Sequence, residues 1–322
     1  MLVLTGIIIL QLGAALAGRL FAVVSPAAVT GLRLWWAALI LGVLGGRGLI
    51  ATVRAVITDR AWRDGAVVIA FGITLGIMNY SIYQSFSRIP LGVAVTIEFL
   101  GPLAVAVASS RRLLDGLWVL LAGAGVALLS DGFGGGHRSM AGIAFALVAA
   151  TSWAAYILLS RATGRRFTGS AGLTIAMVVA AVVVTPTAIA GASRAMLTPA
   201  VLGISLAVGL MSSVIPYRLE LEALRRIPAR VFGIWMSLEP AVAALAGLAI
   251  LGEALSGRQW LAIACVTVAS AGAARSGSGA GGDQRAGGEQ RAGGEQREGG
   301  EQREGEGRQA GVGPAPGNFY DV

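Results

Sequence analysis

The sequence predicts an all-α integral membrane protein, with ten transmembrane helices arranged as two inverted five-helix repeats and a disordered C-terminal tail. Three observations predict it: an apolar composition, ten membrane-length apolar stretches, and an internal repeat at an offset of 138 residues. Hydrophobic residues make up 55% of the chain and charged residues only 13%, against roughly 25% charged in an ordinary soluble domain. Lipid, rather than a buried core, must receive that excess.

A helix needs about 20 apolar residues to cross a hydrocarbon core of about 30 Å. Such stretches occur at 2–24, 27–46, 65–86, 90–109, 114–130, 140–160, 170–190, 199–220, 229–250 and 257–274, separated by short clusters of Arg, Gly and Pro. The first lacks a basic leader and stays apolar for longer than a signal peptide does, so it is read as a retained helix. From Ser276 the composition turns to Gly, Gln, Glu and Arg with a six-residue repeat, as in Gly287-Gly288-Glu289-Gln290-Arg291-Ala292. Such a segment cannot bury a core and is expected to be disordered. Gly277, Gly279 and Gly282 match a dinucleotide-binding spacing, but no strand precedes them and no helix follows. The domains are therefore 1–135, 136–275 and the tail 276–322.

The repeat rests on local sequence. Arg88-Ile89-Pro90 is followed by Gly101-Pro102, and Arg226-Ile227-Pro228 by Glu239-Pro240 at the same spacing; Asp115 and Glu253 then recur at the same offset. Five spans separate the copies, and an odd number reverses orientation. In each copy the first proline starts a helix at no cost, and the second, interior, leaves a carbonyl without its donor: Glu98 for Pro102, Met236 for Pro240. A helix interrupted in this way is tolerated only against protein or a water-filled cavity. Inverted repeats of this kind place their sites near the midplane between the halves.

Every one of the 25 basic residues is Arg, and they are spread among the connections rather than gathered on one soluble face. This excludes nucleic acid as a partner and points to topology. With a cytoplasmic N-terminus, thirteen arginines from Arg47 to Arg230 fall in inside connections. Arg88, Arg138, Arg194 and Arg258 fall outside, with Arg19 and Arg33 near outer helix ends. The asymmetry predicts both termini in the cytoplasm of a cell (inner) membrane protein. One cysteine, Cys265, and one histidine, His137, support neither an intramolecular disulfide nor a metal site. No cofactor is implied. A catalytic cluster that would make the chain a membrane-embedded enzyme is not recognisable.

Candidate site residues follow from depth and helix face. Glu98 lies about 12 Å into its helix, close to mid-membrane, where an acid is a functional candidate able to bind an amine or carry a coupling proton. Glu239 is also deep. Asn79, Tyr80, Tyr83 and Gln84 follow Gly72 and Gly76 on the third span, a face able to hydrogen-bond a polar solute. Tyr217 and Glu220 lie beside Pro216 on the eighth, where a gate is plausible. Arg19 could meet a carboxylate or snorkel to headgroups, and Gln11 is a further polar candidate. Ser152, Tyr156 and Ser160 form a polar line with equal claim to helix packing. Glu253 reads as a cap, and Glu222 as an ion pair with Arg218 or Arg226.

These residues carry a family likeness. Asn79-Tyr80 with Tyr83, Pro90-Leu91-Gly92, Glu98 through Val105 and Ser109-Ser110-Arg111-Arg112 resemble the first half of the threonine/homoserine exporters of the drug/metabolite transporter superfamily. Ser212-Ser213, Pro216-Tyr217, Leu219-Glu220, Met236 through Pro240 and Leu251-Gly252-Glu253 resemble their second half, and Gly13-Ala14 with Ala17 through Phe21 their first helix. The likeness covers about residues 1–275. Arg218, Glu222 and the tail depart from it. It implies a secondary transporter of EamA type that exports small amino acids by alternating access, with protons as the coupling partner. Another metabolite or drug as substrate, or a passive channel, are the readings that compete with it.

Overall fold

The computed structural model describes residues 1–58, 62–108, 114–131, 137–167 and 171–276, and no strand occurs among them. The tail beyond 276 lies outside the described residues, as do the side chains of Asp115, His137 and Tyr217. In chain order the helices are α1 (Leu2–Leu20), α2 (Pro26–Thr58), α3 (Trp62–Phe86), α4 (Leu91–Glu98), α5 (Leu100–Ala108), α6 (Leu114–Asp131), α7 (His137–Gly164) and α8 (Ala171–Ala190). They continue with α9 (Pro199–Gly209), α10 (Ile215–Arg226), α11 (Ala229–Met236), α12 (Glu239–Ala246) and α13 (Gly257–Ser276). A π-helical turn, Leu210–Val214, joins α9 to α10, and a second, Gly247–Leu251, follows α12.

Among the described residues eight helical stretches are long and apolar enough to cross a bilayer. These are α1, Pro26–Gly46 of α2, Asp64–Phe86 of α3, α4 with α5, Met140–Gly164 of α7, α8, Pro199–Glu220 and Val231–Leu251. Length and apolarity thus support a multi-pass membrane protein and eight of the ten expected spans. The other two fall short for identifiable reasons. The apolar stretch of α6, Gly116–Leu129, is shorter, and α13 carries Arg258 and Gln259 at one end and Arg275 at the other. The apolar run of α2 stops at Gly46, whose φ of 48° breaks the helix where a side chain would be strained.

Both proline-marked segments are broken where the sequence frees a carbonyl. Pro90 caps α4 with φ −54° and ψ 143°, and Pro228 caps α11 with φ −57° and ψ 143°. The first break falls at Phe99 (φ −64°, ψ −13°) and the second at Ser237 (φ −63°, ψ −14°). Each follows directly on the residue whose carbonyl Pro102 or Pro240 cannot serve.

Packing exchanges under the 138-residue shift. The helix α3 packs on α7, and its counterpart α9–α10 on α1; α5 packs on α7, and its counterpart α12 on α1. The pairs α2 with α8 and α6 with α13 map onto themselves, while α4, whose counterpart is α11, packs on α12. Small residues allow these approaches: a Cβ on Gly92 would lie 2.6 Å from Ala244 Cα, and one on Gly13 would lie 2.6 Å from Ser212 Oγ. Large apolar side chains such as Val43, Leu120 and Ile189 point outward, toward where lipid would lie.

Candidate functional site

A cavity of about 160 Å³ sits among α1, α2, α3, α4, α7, the first π-helical turn and α10 to α12. At about 30 Å³ per water it has room for roughly five waters, the scale of a small metabolite. Its apolar wall comes from Leu10, Met78, Ile82, Val95, Met236 and Trp153, with Phe86 at one edge. Trp153 is held by an edge-on contact with Phe99, 5.2 Å between ring centroids.

The polar wall is concentrated. Glu98, the last residue of α4, is 9% exposed and faces the cavity. Among the described residues it finds no hydrogen-bond partner, and Arg33 lines the same cavity. Glu239, the first residue of α12, accepts a hydrogen bond from Gln11 Nε2 at 2.9 Å through Oε1. Glu220 completes a set of three acids that line the cavity. Asn79 lines the wall while donating through Nδ2 to the Leu75 carbonyl at 2.8 Å, and Tyr83 is fully enclosed.

Among the described residues, five that line the cavity each bury a polar atom without a partner: Gln11 Oε1, Arg33 Nε, Tyr83 OH, Ser212 Oγ and Glu239 Oε2. Buried polar atoms in folded proteins are normally paired, and leaving one unpaired costs about 1–3 kcal/mol. Donors and acceptors together can hold a small polar solute carrying charges of both signs.

Of the residues singled out in the sequence, the cavity gathers Gln11, Asn79, Tyr83, Glu98, Glu220 and Glu239. The side chain of Tyr217 lies outside the described residues. Three others sit elsewhere. Tyr80 packs edge-on against Phe145, 6.3 Å between centroids. Arg19 donates through Nε to the Ile250 carbonyl at 2.9 Å. Gln84 Oε1 accepts from Arg88 Nη1 at 2.7 Å and lines a second, open cavity of about 530 Å³ with Ser87, Arg88 and Glu253. Phe86 lines both cavities and so stands between them.

Glu253 Oε2 accepts the Leu91 N–H at 2.8 Å, so it caps the start of α4 from the other half of the chain. Burial pushes its carboxyl above the ordinary range, opposed in part by that N–H. Glu222 pairs with Arg226 at 2.6 Å, as i,i+4 spacing suggests.

Sequence reasoning treated Arg33 as a topology marker near a helix end. It is instead 7% exposed, faces the cavity and lies 5.1 Å from the centre of the Tyr83 ring. Trp153 was also missed; nothing in its local sequence separates it from the lipid-facing aromatics.

Comparison with known proteins follows the same lines. The sequence profile described as the EamA-like transporter family matches residues 140–274. The threonine/homoserine exporters RhtA of Salmonella typhimurium and of Escherichia coli K12 are each 40% identical over 264 residues, covering 82% of this chain and 86% of theirs. The uncharacterized transporter YwfM of Bacillus subtilis is 32% identical over 156 residues, 48% of this chain and 53% of its own. One solved crystal structure superposes with a TM-score of 0.57 at 19% identity, covering 84% of this chain and 95% of that one, which shows a shared fold.

Proposed function

The chain belongs to the EamA-type drug/metabolite transporter family that includes these threonine/homoserine exporters; it is a transporter and not an enzyme, and on that premise we propose that it exports threonine, homoserine or a similarly small amino acid. The observation that carries the substrate class is the set of unpartnered polar atoms around a cavity holding three carboxylates and one guanidinium. An amino acid presents an ammonium and a carboxylate a few ångströms apart, and such a wall can meet both. Glu98 is the acid assigned to the ammonium, with Gln11, Asn79, Tyr83, Glu220 and Glu239 completing the pocket.

Transport proceeds by alternating access between two inverted five-helix halves, residues 1–135 and 136–275, in ten passes with both termini in the cytoplasm. The matched breaks at Phe99 and Ser237 and the exchange of packing partners under the 138-residue shift support the pseudo-two-fold arrangement. The arginine asymmetry supports the orientation. Protons are the coupling partner: an acid alternately bound to a proton and to an ammonium links the two fluxes.

The test is efflux from proteoliposomes loaded with a mixture of labelled amino acids, with and without an imposed proton gradient. Saturable, gradient-driven loss of threonine or homoserine is expected. Efflux that neither saturates nor responds to the gradient would make the protein a passive pore. Topology is checked separately. The single cysteine permits a Cys265→Ser background in which cysteines placed at each connection are labelled from one side or the other.

A further inference from the structure

Arg33 lines the cavity, and an arginine enclosed at membrane depth is expensive to keep. It enters on α2, in the first half of the chain, and reaches across to the second. Its Nη2 donates to the Ser212 carbonyl at 3.2 Å, with Ser213 Oγ at 3.5 Å. The Ser212 carbonyl lies four residues before Pro216, so an α-helical ladder would leave it without a donor. One arm of the guanidinium is thus engaged by the Ser212 carbonyl.

The other donors remain. Among the described residues Nε is buried without a partner and Nη1 makes no hydrogen bond either. Tyr83 lies against the guanidinium and closes that side. Both forked edges of a guanidinium share Nη2, so the edge left for a ligand pairs Nε–H with the Nη2 hydrogen that Ser212 does not take, beside three acidic side chains. A planar fork of this kind matches a carboxylate with two parallel N–H···O bonds, which a point charge cannot do.

We propose that Arg33 receives the α-carboxylate of the transported amino acid and thereby makes the pocket select amino acids over amines of the same shape. The proposal rests on the amino-acid reading above and deepens it. The substrate then spans the cavity with its carboxylate on α2 and its ammonium on the acids of α4 and α12, so one molecule ties both halves together.

The test compares threonine with threoninol, in which the carboxyl is reduced to an alcohol, using protein in lipid nanodiscs and binding read by calorimetry. The unaltered protein should bind threonine at least about tenfold more tightly, the discrimination expected of charge-assisted hydrogen bonds. Arg33→Gln should bring the two ligands within about twofold by weakening threonine alone. Arg33→Lys, which keeps the charge but loses the fork, should fall between. A preference that survives Arg33→Gln, or an equal loss for both ligands, would overturn the assignment, as would an unaltered protein that binds threonine no better than threoninol. If Arg33→Gln does not fold, Arg33→Lys decides, and an unchanged preference there overturns it. Efflux separates this proposal from the broader one. An Arg33-dependent preference without threonine transport would sink export and leave the carboxylate site standing. Threonine efflux with the same KM in Arg33→Gln would leave export standing and sink the site.

Discussion

The two broken helices share one backbone plan and differ in what they place on it. Each starts on a proline with ψ of 143°, each turns at Phe99 or Ser237, and each carries a second proline three residues beyond the turn. At the two positions flanking the turn the copies diverge: Glu98 corresponds to Met236, and Gly101 to Glu239. Gly101 lets α5 close on α7, so that an added Cβ would sit 2.2 Å from the Ala150 carbonyl oxygen. At the matching place in the second copy Glu239 reaches Gln11 of α1. Where one half packs, the other carries part of the cavity wall. A symmetric scaffold thus supports an asymmetric site.

The acids also meet opposite ends of helices. Glu239 opens α12, where unpaired N–H groups favour an anion, and its Oε1 is already bonded to Gln11. Glu98 closes α4, where carbonyls point toward it, and it lacks a hydrogen-bond partner among the described residues. Glu98 is therefore the acid that a ligand or a proton must complete. The largest expected effect follows: Glu98→Gln lowers threonine efflux from proteoliposomes by about a hundredfold or more, the loss of charge-assisted contacts worth about 1.5–3 kcal/mol each. Glu239→Gln costs about tenfold, because its amide oxygen still accepts from Gln11 and only the charge is lost. A reversed order of the two variants would break the comparison and move the principal role to the second copy.

The packing side of the comparison has its own measure. Gly101→Ala should destabilise the protein by about 1–3 kcal/mol, the cost of overpacking a tight contact. Gly123→Ala, with nothing within 4 Å of the added Cβ, should not lower stability. Melting temperatures in detergent separate the two. Equal melting temperatures would mean that α5 and α7 can part without cost, and the contrast between a packing half and a site half would lose its basis.

Much of this was readable from the chain because the signals are local. The prolines set the breaks, apolar length set most of the spans, and depth picked out Glu98 and Glu239. Helix rotation was harder to read. Asn79 and Tyr83 share the cavity face at i,i+4, whereas Tyr80 and Gln84, each one residue or about 100° further round, face Phe145 and Arg88 instead. Gly72 and Gly76 mark the packing side toward α8. Arg33 was within reach of the same depth rule that found Glu98: it lies seven residues past Pro26, about 10 Å along α2. Counting it with the connections hid it. Arg19, at the last turn of α1, had the converse fate, because a free carbonyl at Ile250 is a tertiary feature with no local trace.

The smallest effect concerns the contact between the halves at Glu253, whose counterpart Asp115 has a side chain outside the described residues. Burial raises the folded-state pKa of Glu253 above the ordinary 4.5, and the Leu91 N–H opposes this without cancelling it. A carboxyl whose pKa is raised on folding contributes its stability while protonated in both states, at low pH, and loses it as pH climbs through the raised value. The melting temperature of the unaltered protein, relative to that of Glu253→Gln, should therefore fall slightly between pH 4.5 and neutrality. Arg88 lines the same open cavity in both proteins, so the difference between them isolates the carboxyl. A difference of the opposite sign would mean that the Leu91 hydrogen bond outweighs burial, and that the acid holds α4 as an anionic cap supplied by the other half of the chain.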